Sequence, residues 1–352
     1  MTLTTAKPIR GRVKCVVWDL DNTLWDGVLL EGDELRLRTE VVDTIRRLDE
    51  IGVLHSVASK NDHAAAMDRL REFGLDDMFL HPRINWNAKS HSIAEIAQAL
   101  NLGVDALAFV DDQEFERAEV AHSMPDVLCV DVAELASAVR RPEFSPRFVT
   151  DESRQRRQLY REQAARVDAE REHVGTSDEF LAGLDMVFTI APAGLEDLRR
   201  AEELTVRTNQ LNSTGRTYSY EELEAIRESP DHLLLVASLT DRFGGYGTIG
   251  LTLVEKGESA WYLRLLLMSC RVVSRGVGMV LLNHVTGLAR AAGMPLRADF
   301  VETGRNRMMQ ITYTFAGFEE VGRNGNAVVL EHTSGAVQPC PPYVDLRILM
   351  AS

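Results

Sequence analysis

The chain has 352 residues, which is long enough for two domains. Of these residues 45% are hydrophobic and 26% are charged, a composition typical of a soluble globular protein. Its formal net charge of −14, from 39 Lys and Arg against 53 Asp and Glu, argues against nucleic acid or an anionic membrane as the main partner. Residues 1–12 lack a signal-peptide core and no apolar run is long enough to span a membrane, so we expect a cytoplasmic protein.

The four cysteines, Cys15, Cys129, Cys270 and Cys340, are widely spaced along the chain. No Cys-x-x-Cys pair occurs, so the sequence predicts neither a zinc site nor a disulfide framework. Cys15 and Cys129 fall in stretches that predict buried strands, and a buried thiol is usually inert. Each cysteine therefore has to be considered as a single thiol.

Near the N-terminus an apolar run ends in two acidic residues. Residues 14–18, Lys-Cys-Val-Val-Trp, predict a short buried strand, and Asp19 and Asp21 follow where that strand gives way to a loop. Because side chains alternate along a strand, both carboxylates would point the same way. Adjacent carboxylates repel each other, and a divalent cation such as Mg2+, which takes hard oxygen ligands, relieves that repulsion. Solvated acids in an N-terminal turn are the alternative interpretation.

The remainder of the first 140 residues alternates between helices and strands. Helical periodicity is found over residues 41–51, 62–73 and 93–100, and apolar strand-like runs are found over 53–58, 106–110 and 127–130. This alternation is typical of a parallel, doubly wound α/β sheet. Ser59 and Asp111 each follow a strand, as Asp19 does, so we expect all three side chains at the sheet edge where ligands bind.

The pentapeptide Asp-Leu-Asp-Asn-Thr at residues 19–23 resembles the first motif of the haloacid dehalogenase (HAD) phosphotransferase superfamily. The resemblance implies that Asp19 is a nucleophile that forms an aspartyl-phosphate, a role that carboxylates do play. It also implies that Asp21 is the general acid and base, and that the main-chain carbonyl of Asp21 reaches the metal. Only short segments separate the motifs, so we expect no large cap domain after the first one.

Further residues fit the later motifs of the same superfamily. Lys89, in the sequence Asn-Ala-Lys-Ser, would be the cation that steadies the phosphate and the nucleophile, although alone it would be interpreted as a solvated lysine at a helix start. The resemblance assigns phosphate binding to Asn22, Ser59 and Lys89, and Mg2+ binding to Asp19, Asp21, Asp111 and Asp112. Four motifs in this order favour a Mg2+-dependent phosphotransferase.

Between the two halves the composition becomes proline-rich and then strongly charged. Pro142 and Pro146 interrupt regular structure, and Asp151 is positioned to cap a polar helix that continues to about residue 172. We therefore predict a HAD-like phosphatase domain over residues 1–140 and a helical connector over 141–176. The remaining residues, 177–352, are predicted to form a GNAT-like domain.

The second half predicts a mixture of helices and strands. A helix opens at residue 177, and further helices are predicted over 195–206, 220–229 and 279–292. Strands are predicted over residues 186–190, 233–239, 248–254 and 261–268. The last strand runs into a loop that closes on Arg-Gly-Val-Gly at 275–278 and leads into a helix. Glycines let a ligand approach the backbone and a helix N-terminus presents unpaired N–H groups, so this arrangement suits a phosphate.

This strand, loop and helix resemble the pyrophosphate loop of the GNAT acyltransferase fold, which binds the pantetheine arm and the phosphates of coenzyme A. Asn306, followed by Tyr313 and by Ala-Gly-Phe at 316–318, resembles the last motif of that fold. Val273 stands where acetyltransferases usually have Gln or Arg, so coenzyme A itself is left open as a ligand. The resemblance implies an α+β domain; a purely structural turn is the alternative for the loop.

Both halves together resemble the FkbH-like proteins of polyketide biosynthesis. The stretches that carry this resemblance are 18–29, 207–212, 268–272 and 303–307. The resemblance implies that the glyceryl group of D-1,3-bisphosphoglycerate is transferred to an enzyme thiol and that the HAD site removes the remaining phosphate. The glyceryl unit would then pass to the phosphopantetheine thiol of an acyl carrier protein, for methoxymalonyl-type extender units.

Cys270 is the candidate thiol, because it lies where an apolar strand meets the glycine loop. Arg271, Arg275 and the N-terminus of the following helix would favour its thiolate form. The residues expected at the pantetheine arm are Arg271, Arg275, Gly276, Gly278 and Asn306. The alternatives are a Cys270 that merely packs at the strand end, and a stand-alone Mg2+-dependent HAD phosphatase with a degenerate GNAT module. An N-acyltransferase that uses coenzyme A and a non-enzymatic scaffold are further alternatives.

Overall fold

The structure is a computed structural model, which describes residues 12–208 and 210–350. The chain divides into two compact units, one that ends at Arg161 and one that begins at Glu162. This division falls within a helix, Arg156–Glu172, in the stretch where the sequence predicts a helical connector. Among the described residues, no helix is long and apolar enough to cross a membrane.

The first unit is built on a parallel sheet with helices on both faces. Its strands are β1 (Cys15–Trp18), β2 (Trp25–Asp26), β3 (Arg36–Leu37), β4 (Leu54–Ser59), β5 (Arg83–Ile84), β6 (Leu107–Asp111) and β7 (Leu128–Asp131). Its helices are α1 (Thr39–Glu50), α2 (His63–Glu72), α3 (Lys89–Ala99), α4 (Glu114–Ser123), α5 (Leu135–Ala138) and α6 (Asp151–Arg154). The main sheet has the order β5-β4-β1-β6-β7 with parallel neighbours throughout, so the chain winds to one side of β1 and then to the other.

The burial of β1 explains why its sequence is an uninterrupted apolar run. Val16 and Trp18 pack into the core formed with α1 and α2, while Cys15 and Val17 pack into the core formed with α3 and α4. A strand covered on both faces has no polar face to show, and all four residues of β1 are buried. In the described segment between β1 and α1 the chain forms only the β2–β3 hairpin and one 3-10 turn, Leu29–Glu31. The predicted doubly wound sheet without a large cap is confirmed.

The start of the polar connector differs from the prediction. Thr150, not Asp151, caps α6, because the Thr150 hydroxyl accepts a hydrogen bond from the backbone N–H of Ser153. The helix is then interrupted at Gln155 before α7 (Arg156–Glu172) begins. Thr and Asp are both favourable N-cap residues, so two of them in succession leave the helix start ambiguous in the sequence.

The second unit has the predicted α+β character, with a mixed sheet of order β13-β14-β12-β11-β10-β9-β8-β15. Its strands are β8 (Met186–Pro192), β9 (His232–Asp241), β10 (Gly244–Lys256), β11 (Trp261–Met268), β12 (Leu296–Phe300), β13 (Phe318–Asn324), β14 (Ala327–His332) and β15 (Val344–Ile348). Its helices after α7 are α8 (Ser177–Ala182), α9 (Leu198–Arg207), α10 (Tyr220–Glu228), α11 (Val277–Ala291) and α12 (Arg307–Phe315). β11 pairs with β12, and β8 with β15, in parallel.

Two apolar cores cover the two faces of this sheet. On one face Leu198 of α9 and Leu223 of α10 pack against Leu265 and Leu267 of β11. On the other face α11 and α12 belong to the larger core, which also contains the alternate β11 residue Met268. Because β11 is buried on both sides, its sequence, like that of β1, is almost entirely apolar.

Candidate active sites

The first candidate site lies at the carboxyl end of the parallel sheet. Asp19 directly follows β1, Ser59 is the last residue of β4, and Asp111 is the last residue of β6. Because β4 and β6 flank β1, these three side chains meet at one edge of the sheet. The Ser59 side chain is hydrogen-bonded to the Asp19 carboxylate. The structure therefore brings together the strand-end residues that the sequence places there.

Lys89 inserts its ammonium group between two of these carboxylates. It is the first residue of α3, and it is only 3% exposed. Its Nζ lies 2.7 Å from Asp19 Oδ1 and 2.5 Å from Asp111 Oδ2. A solvated lysine at a helix start is therefore excluded, and Lys89 is a buried cation in direct contact with two acids.

The charges in this cluster depend on one another. The pKa of Asp19 is raised to about 6, and burial is the main cause. The negative charge of Asp111 raises this pKa further, whereas the Lys89 ammonium lowers it. Burial likewise raises the pKa of Asp111, again opposed by Lys89. Burial disfavours the charged form of Lys89, but the two carboxylates together outweigh this effect and raise its pKa. Lys89 is therefore a cation, and its single positive charge does not balance the negative charges of the neighbouring carboxylates.

The acids fit a divalent metal ion. Asp19, Asp111 and Asp112 each offer a carboxylate oxygen, and these oxygens lie within 4.8 Å of one another. A cluster of hard oxygen donors with unneutralised negative charge is the donor set that Mg2+ prefers. Asp112 is fixed by Thr23, whose Oγ1 donates to Asp112 Oδ1 at 3.3 Å and accepts from the Asp112 N–H at 3.1 Å.

The carboxylates of Asp19 and Asp21 were expected to point the same way, but the carboxylate of Asp21 lies elsewhere. β1 ends at Trp18, so the alternation of a strand no longer governs these positions. Asp21 Oδ1 accepts hydrogen bonds from Trp25 Nε1 at 2.8 Å and from the Leu29 N–H at 3.2 Å, and Oδ2 accepts from Asn61 Nδ2 at 2.9 Å. Three donors therefore fix this carboxylate, which is outside the three-acid cluster.

Trp25 and Asn61 were not predicted to be site residues. Asn61 is only 1% exposed, and its Oδ1 accepts from the backbone N–H of Asp62, so its amide has a fixed orientation. Its one signal in the sequence is its place two residues after Ser59, in the loop that follows β4. Trp25 lies in the stretch 18–29 that carries the family resemblance, but the contact of its indole with Asp21 was not predicted, because only the folded hairpin makes it.

Asn22 lies in the turn between these groups. Its φ angle is 53°, and its Oδ1 accepts a hydrogen bond from the backbone N–H of Gly27 at 3.1 Å. Asparagine tolerates this left-handed conformation better than most residues do. One side of the Asn22 amide is therefore used within the loop, and phosphate binding by Asn22 stays a prediction.

The second candidate site surrounds the glycine loop after β11. Residues Cys270–Arg275 form a 3-10 helix, and Gly276 follows with a φ of 74° before α11 begins at Val277. A Cβ atom at Gly276 would meet the Tyr343 hydroxyl at 3.2 Å, so both the conformation and the space favour glycine. The predicted loop leading into a helix N-terminus is present.

A small, mainly apolar cavity of about 140 Å³ adjoins this loop. Both glycines of the loop line it, together with methionine, valine and leucine side chains. The lining residues are Leu211, Leu266, Met268, Val272, Val273, Gly276, Gly278, Met279, Met308, Met309 and Thr312. Its shape and apolar character suit a thin, uncharged chain better than a phosphate.

Two residues expected at a pantetheine arm are instead used inside the protein. Arg275 is 1% exposed, and its Nη1 pairs with Glu170 Oε2 at 3.2 Å. Asn306 is fully buried; its Nδ2 donates to the Asn212 and Val301 carbonyls at 3.0 and 2.8 Å, and its Oδ1 accepts from the Thr303 N–H. The Asn306 amide is therefore used on both sides within the protein, whereas the buried Nε of Arg275 has no hydrogen-bond partner. Ligand contacts by these two residues stay a prediction.

The free edge of β11 is also closed by the chain itself. β11 and β12 pair only between Trp261–Leu263 and Leu296–Ala298. Beyond that point the Met268 N–H donates to the Leu211 carbonyl at 2.9 Å, and the Ser213 N–H donates to the Leu266 carbonyl at 3.0 Å. Leu211 belongs to the stretch 207–212 singled out in the sequence, and Ser213 directly follows it; Asn209 of that stretch lies outside the described residues.

The four thiols differ in their surroundings. Cys270, the first residue of the 3-10 helix, is partly exposed, and the neighbouring Arg271 donates from Nε to Ser269 Oγ at 3.3 Å. Cys15 is fully buried, and burial raises its pKa far above the usual range. Cys129 was expected to be buried, but it is partly exposed because it lies on the sheet-edge strand β7. Cys340 is partly exposed, and burial raises its pKa.

No family model matches this chain. Human magnesium-dependent phosphatase 1 is 27% identical over an alignment of 138 residues, which covers 34% of this chain and 77% of the human protein. Over about a third of its length, the chain is therefore similar in sequence to a magnesium-dependent phosphatase.

Similar solved structures include the N-terminal part of BF1531 from Bacteroides fragilis, which contains a phosphatase domain and is complexed with Mg. It is 29% identical, with 37% of this chain and 39% of that chain covered and a TM-score of 0.34. The PaiA N-acetyltransferase of Thermoplasma acidophilum, in complex with coenzyme A, is 18% identical, with 41% of this chain and 97% of that chain covered and a TM-score of 0.33.

Proposed function

We propose that this chain is a two-site enzyme that moves the glyceryl group of D-1,3-bisphosphoglycerate to an acyl carrier protein, with loss of both phosphates. The observation that carries the phosphatase half is the buried Lys89 ammonium in contact with Asp19 and Asp111. The sequence similarity to human magnesium-dependent phosphatase 1 supports the same chemistry and supports Mg2+ as the metal. The acyl-transfer half rests on the glycine loop, its cavity and Cys270, together with the resemblance to FkbH-like proteins.

In the phosphatase half, Asp19 attacks the phosphorus of the phosphate ester, and the bond from phosphorus to the glyceryl oxygen breaks. The leaving alkoxide takes a proton from Asp21. Asp21 then removes a proton from water, which attacks the aspartyl-phosphate and releases inorganic phosphate while Asp19 is regenerated. Lys89 and Ser59, both in contact with Asp19, hold the phosphate oxygens during these steps.

The carboxylates of Asp19, Asp111 and Asp112 would hold Mg2+, with the main-chain carbonyl of Asp21 as a further ligand. When bound, the ion supplies positive charge against the negative charge that develops on the phosphate. Lys89 remains necessary beside it, because a buried ammonium stabilises the same charge without moving during the reaction.

In the acyl-transfer half, the Cys270 thiolate attacks the carbonyl carbon of the acyl phosphate. The bond from carbon to the phosphate oxygen breaks, inorganic phosphate leaves, and a thioester remains on Cys270. The phosphopantetheine thiolate of the carrier then attacks this thioester, and Cys270 leaves as a thiolate. Overall, one bisphosphoglycerate, one carrier thiol and one water give a glyceryl thioester on the carrier and two phosphates.

A stand-alone Mg2+-dependent phosphatase with a degenerate GNAT-like module is the second candidate function. It is favoured by the internal contacts of Arg275 and Asn306 and by the closed edge of β11. That enzyme would need no thiol and would release phosphate without any carrier protein.

Intact-mass measurement of a purified carrier protein distinguishes the two functions. The full chain is incubated with D-1,3-bisphosphoglycerate, Mg2+ and the carrier, with and without its phosphopantetheine arm. We expect one glyceryl group on the carrier that bears the arm, none on the carrier without it, and loss of loading in Cys270→Ala but not in the matched variant Cys340→Ala. Phosphate release with an unmodified carrier would support the stand-alone phosphatase instead. Loading by Cys270→Ala at the wild-type rate would rule out the thioester on Cys270.

A further inference from the structure

Helix α12 carries an apolar face that the rest of the described chain leaves uncovered. Met308, Ile311 and Phe315 are 45%, 36% and 72% exposed. At spacings of three and four residues they share one side of the helix. Met309 and Tyr313 point into the core from another side of the same helix. α12 therefore packs on the sheet through one apolar side and presents a second one to solvent, which is unusual for a surface helix.

This α12 face, defined by Met308, Ile311 and Phe315, is continuous with the cavity at the glycine loop. Met308 belongs both to this face and to the cavity lining, and Val273, which also lines the cavity, is 47% exposed. A macromolecule that docks on the face would therefore lie against the cavity. The cavity is too small for a folded segment and could admit only a thin chain carried by that macromolecule.

The charges next to the face favour an acidic partner. Arg305 and Arg307 are both exposed at the N-terminal end of α12, where Glu302 is the nearby exposed acid. The chain as a whole has a net charge of −14, so these two exposed arginines form a local positive region on a negatively charged protein. Local cations of this kind steer oppositely charged partners to one place and exclude like-charged ones.

We propose that the α12 face is the docking surface for the acyl carrier protein, an acidic protein whose phosphopantetheine arm would reach the adjoining cavity. This inference rests on the proposed function and names where its partner binds. A second copy of this chain suits the face less well. A symmetric contact would place the arginines of one copy against those of the other, and both copies carry a net charge of −14.

The test is direct binding of a fluorescently labelled, phosphopantetheine-bearing carrier protein to the full chain, without an acyl donor. We expect Phe315→Ser and the double variant Arg305→Glu, Arg307→Glu each to weaken binding by roughly tenfold or more, since exposed aromatic and arginine anchors dominate interfaces. The matched controls are Val321→Ser, a residue 50% exposed on β13, and Arg323→Glu; both should bind the carrier as the wild type does.

Wild-type affinity in both α12 variants would overturn the proposal, as would a wild-type chain that does not bind the carrier. A wild-type dimer that Phe315→Ser converts to a monomer would also overturn it, because a second copy would then cover the face. Loading assays separate this inference from the proposed function. Carrier that binds through α12 but never becomes acylated defeats the function alone, whereas normal loading with an unchanged KM for carrier in both variants defeats the docking surface alone.

Discussion

Lys89 Nζ lies 2.7 Å from Asp19 Oδ1, and this contact joins the start of α3 to the loop after β1. Both side chains are almost completely buried. Burial alone would drive Asp19 towards its protonated form, and the Lys89 ammonium opposes that change, so that the pKa stays at about 6. A carboxylate with this pKa is ionised at neutral pH and can act as a nucleophile.

Lys89→Met should therefore abolish most of the phosphatase activity. The substitution removes the cation that keeps Asp19 ionised and that would stabilise the transferring phosphate, an effect worth about a hundredfold or more in kcat. Phosphate release from a phosphate ester, followed in the presence of saturating Mg2+, measures the loss. Lys256→Met, at an exposed position on β10, is the matched control and should keep wild-type kcat. A Lys89→Met enzyme with more than half of the activity would refute this role.

Asp112→Asn should weaken Mg2+ binding by roughly tenfold or more, because it removes one of three negative charges from the acid cluster. Calorimetric titration of the full chain with Mg2+ measures the affinity without reference to activity. The exposed residue Asp126 provides the control, and Asp126→Asn should bind Mg2+ as the wild type does. Equal affinity in all three proteins would show that the ion binds elsewhere.

Chelation should abolish phosphate release, and Mg2+ should restore it.

Trp25→Phe should lower kcat about tenfold with little change in KM, because it removes an N–H donor to the Asp21 carboxylate and leaves the substrate contacts in place. The pH profile of kcat should shift as well, since Asp21 is the proposed acid and base. Trp18→Phe is the matched control: Trp18 is an equally buried indole, but it donates to His55 Nδ1. A kcat and pH profile that stay unchanged in Trp25→Phe would argue against a positioning role for the indole.

His55 should make the stability of the protein depend on pH. The side chain is fully buried, and burial lowers its pKa from 6.5 to about 3, with a further decrease from the Arg157 guanidinium. A group whose pKa is depressed on folding stabilises the folded state fully above its unfolded value, and that stability is lost as the pH falls towards the folded value. Between pH 7 and pH 5 this amounts to about 2 kcal/mol of unfolding free energy.

Urea unfolding of the full chain, followed by tryptophan fluorescence at both pH values, measures this loss. His55→Gln should remove it, because glutamine can accept the Trp18 hydrogen bond without titrating in this range. The control His63→Gln, at an exposed position at the start of α2, should retain the wild-type pH dependence. If the three proteins lost stability equally, another group would be responsible.

The strand-end acids could be predicted because the information about them is local. An apolar run followed by Asp19 indicates a buried strand and its end, and a parallel sheet brings such ends together. The partners of Asp21 could not be predicted in this way. Trp25 and Asn61 reach its carboxylate only through the β2–β3 hairpin and the loop after β4, which lie apart in the sequence.

The second unit was harder to predict for similar reasons. Arg275 and Glu170 are brought together only by the packing of α7, so no local pattern indicated that this arginine is buried. The strands after α11 and helix α12 were not predicted. β12 alternates apolar residues with Arg297 and Asp299, but over only five positions, and β13 is exposed beyond its first residue and so has no apolar face.

The most direct test of the account is phosphate release and carrier mass in Asp19→Asn, with Mg2+, D-1,3-bisphosphoglycerate and carrier protein all present. The substitution keeps the volume of the side chain and removes the nucleophile, so we expect release of the ester phosphate to fall by roughly a thousandfold. Any acyl group found on the carrier should then still bear that phosphate, whereas the wild type should load glyceryl alone. An Asp19→Asn chain that releases the ester phosphate at the wild-type rate and loads unphosphorylated glyceryl would contradict the account.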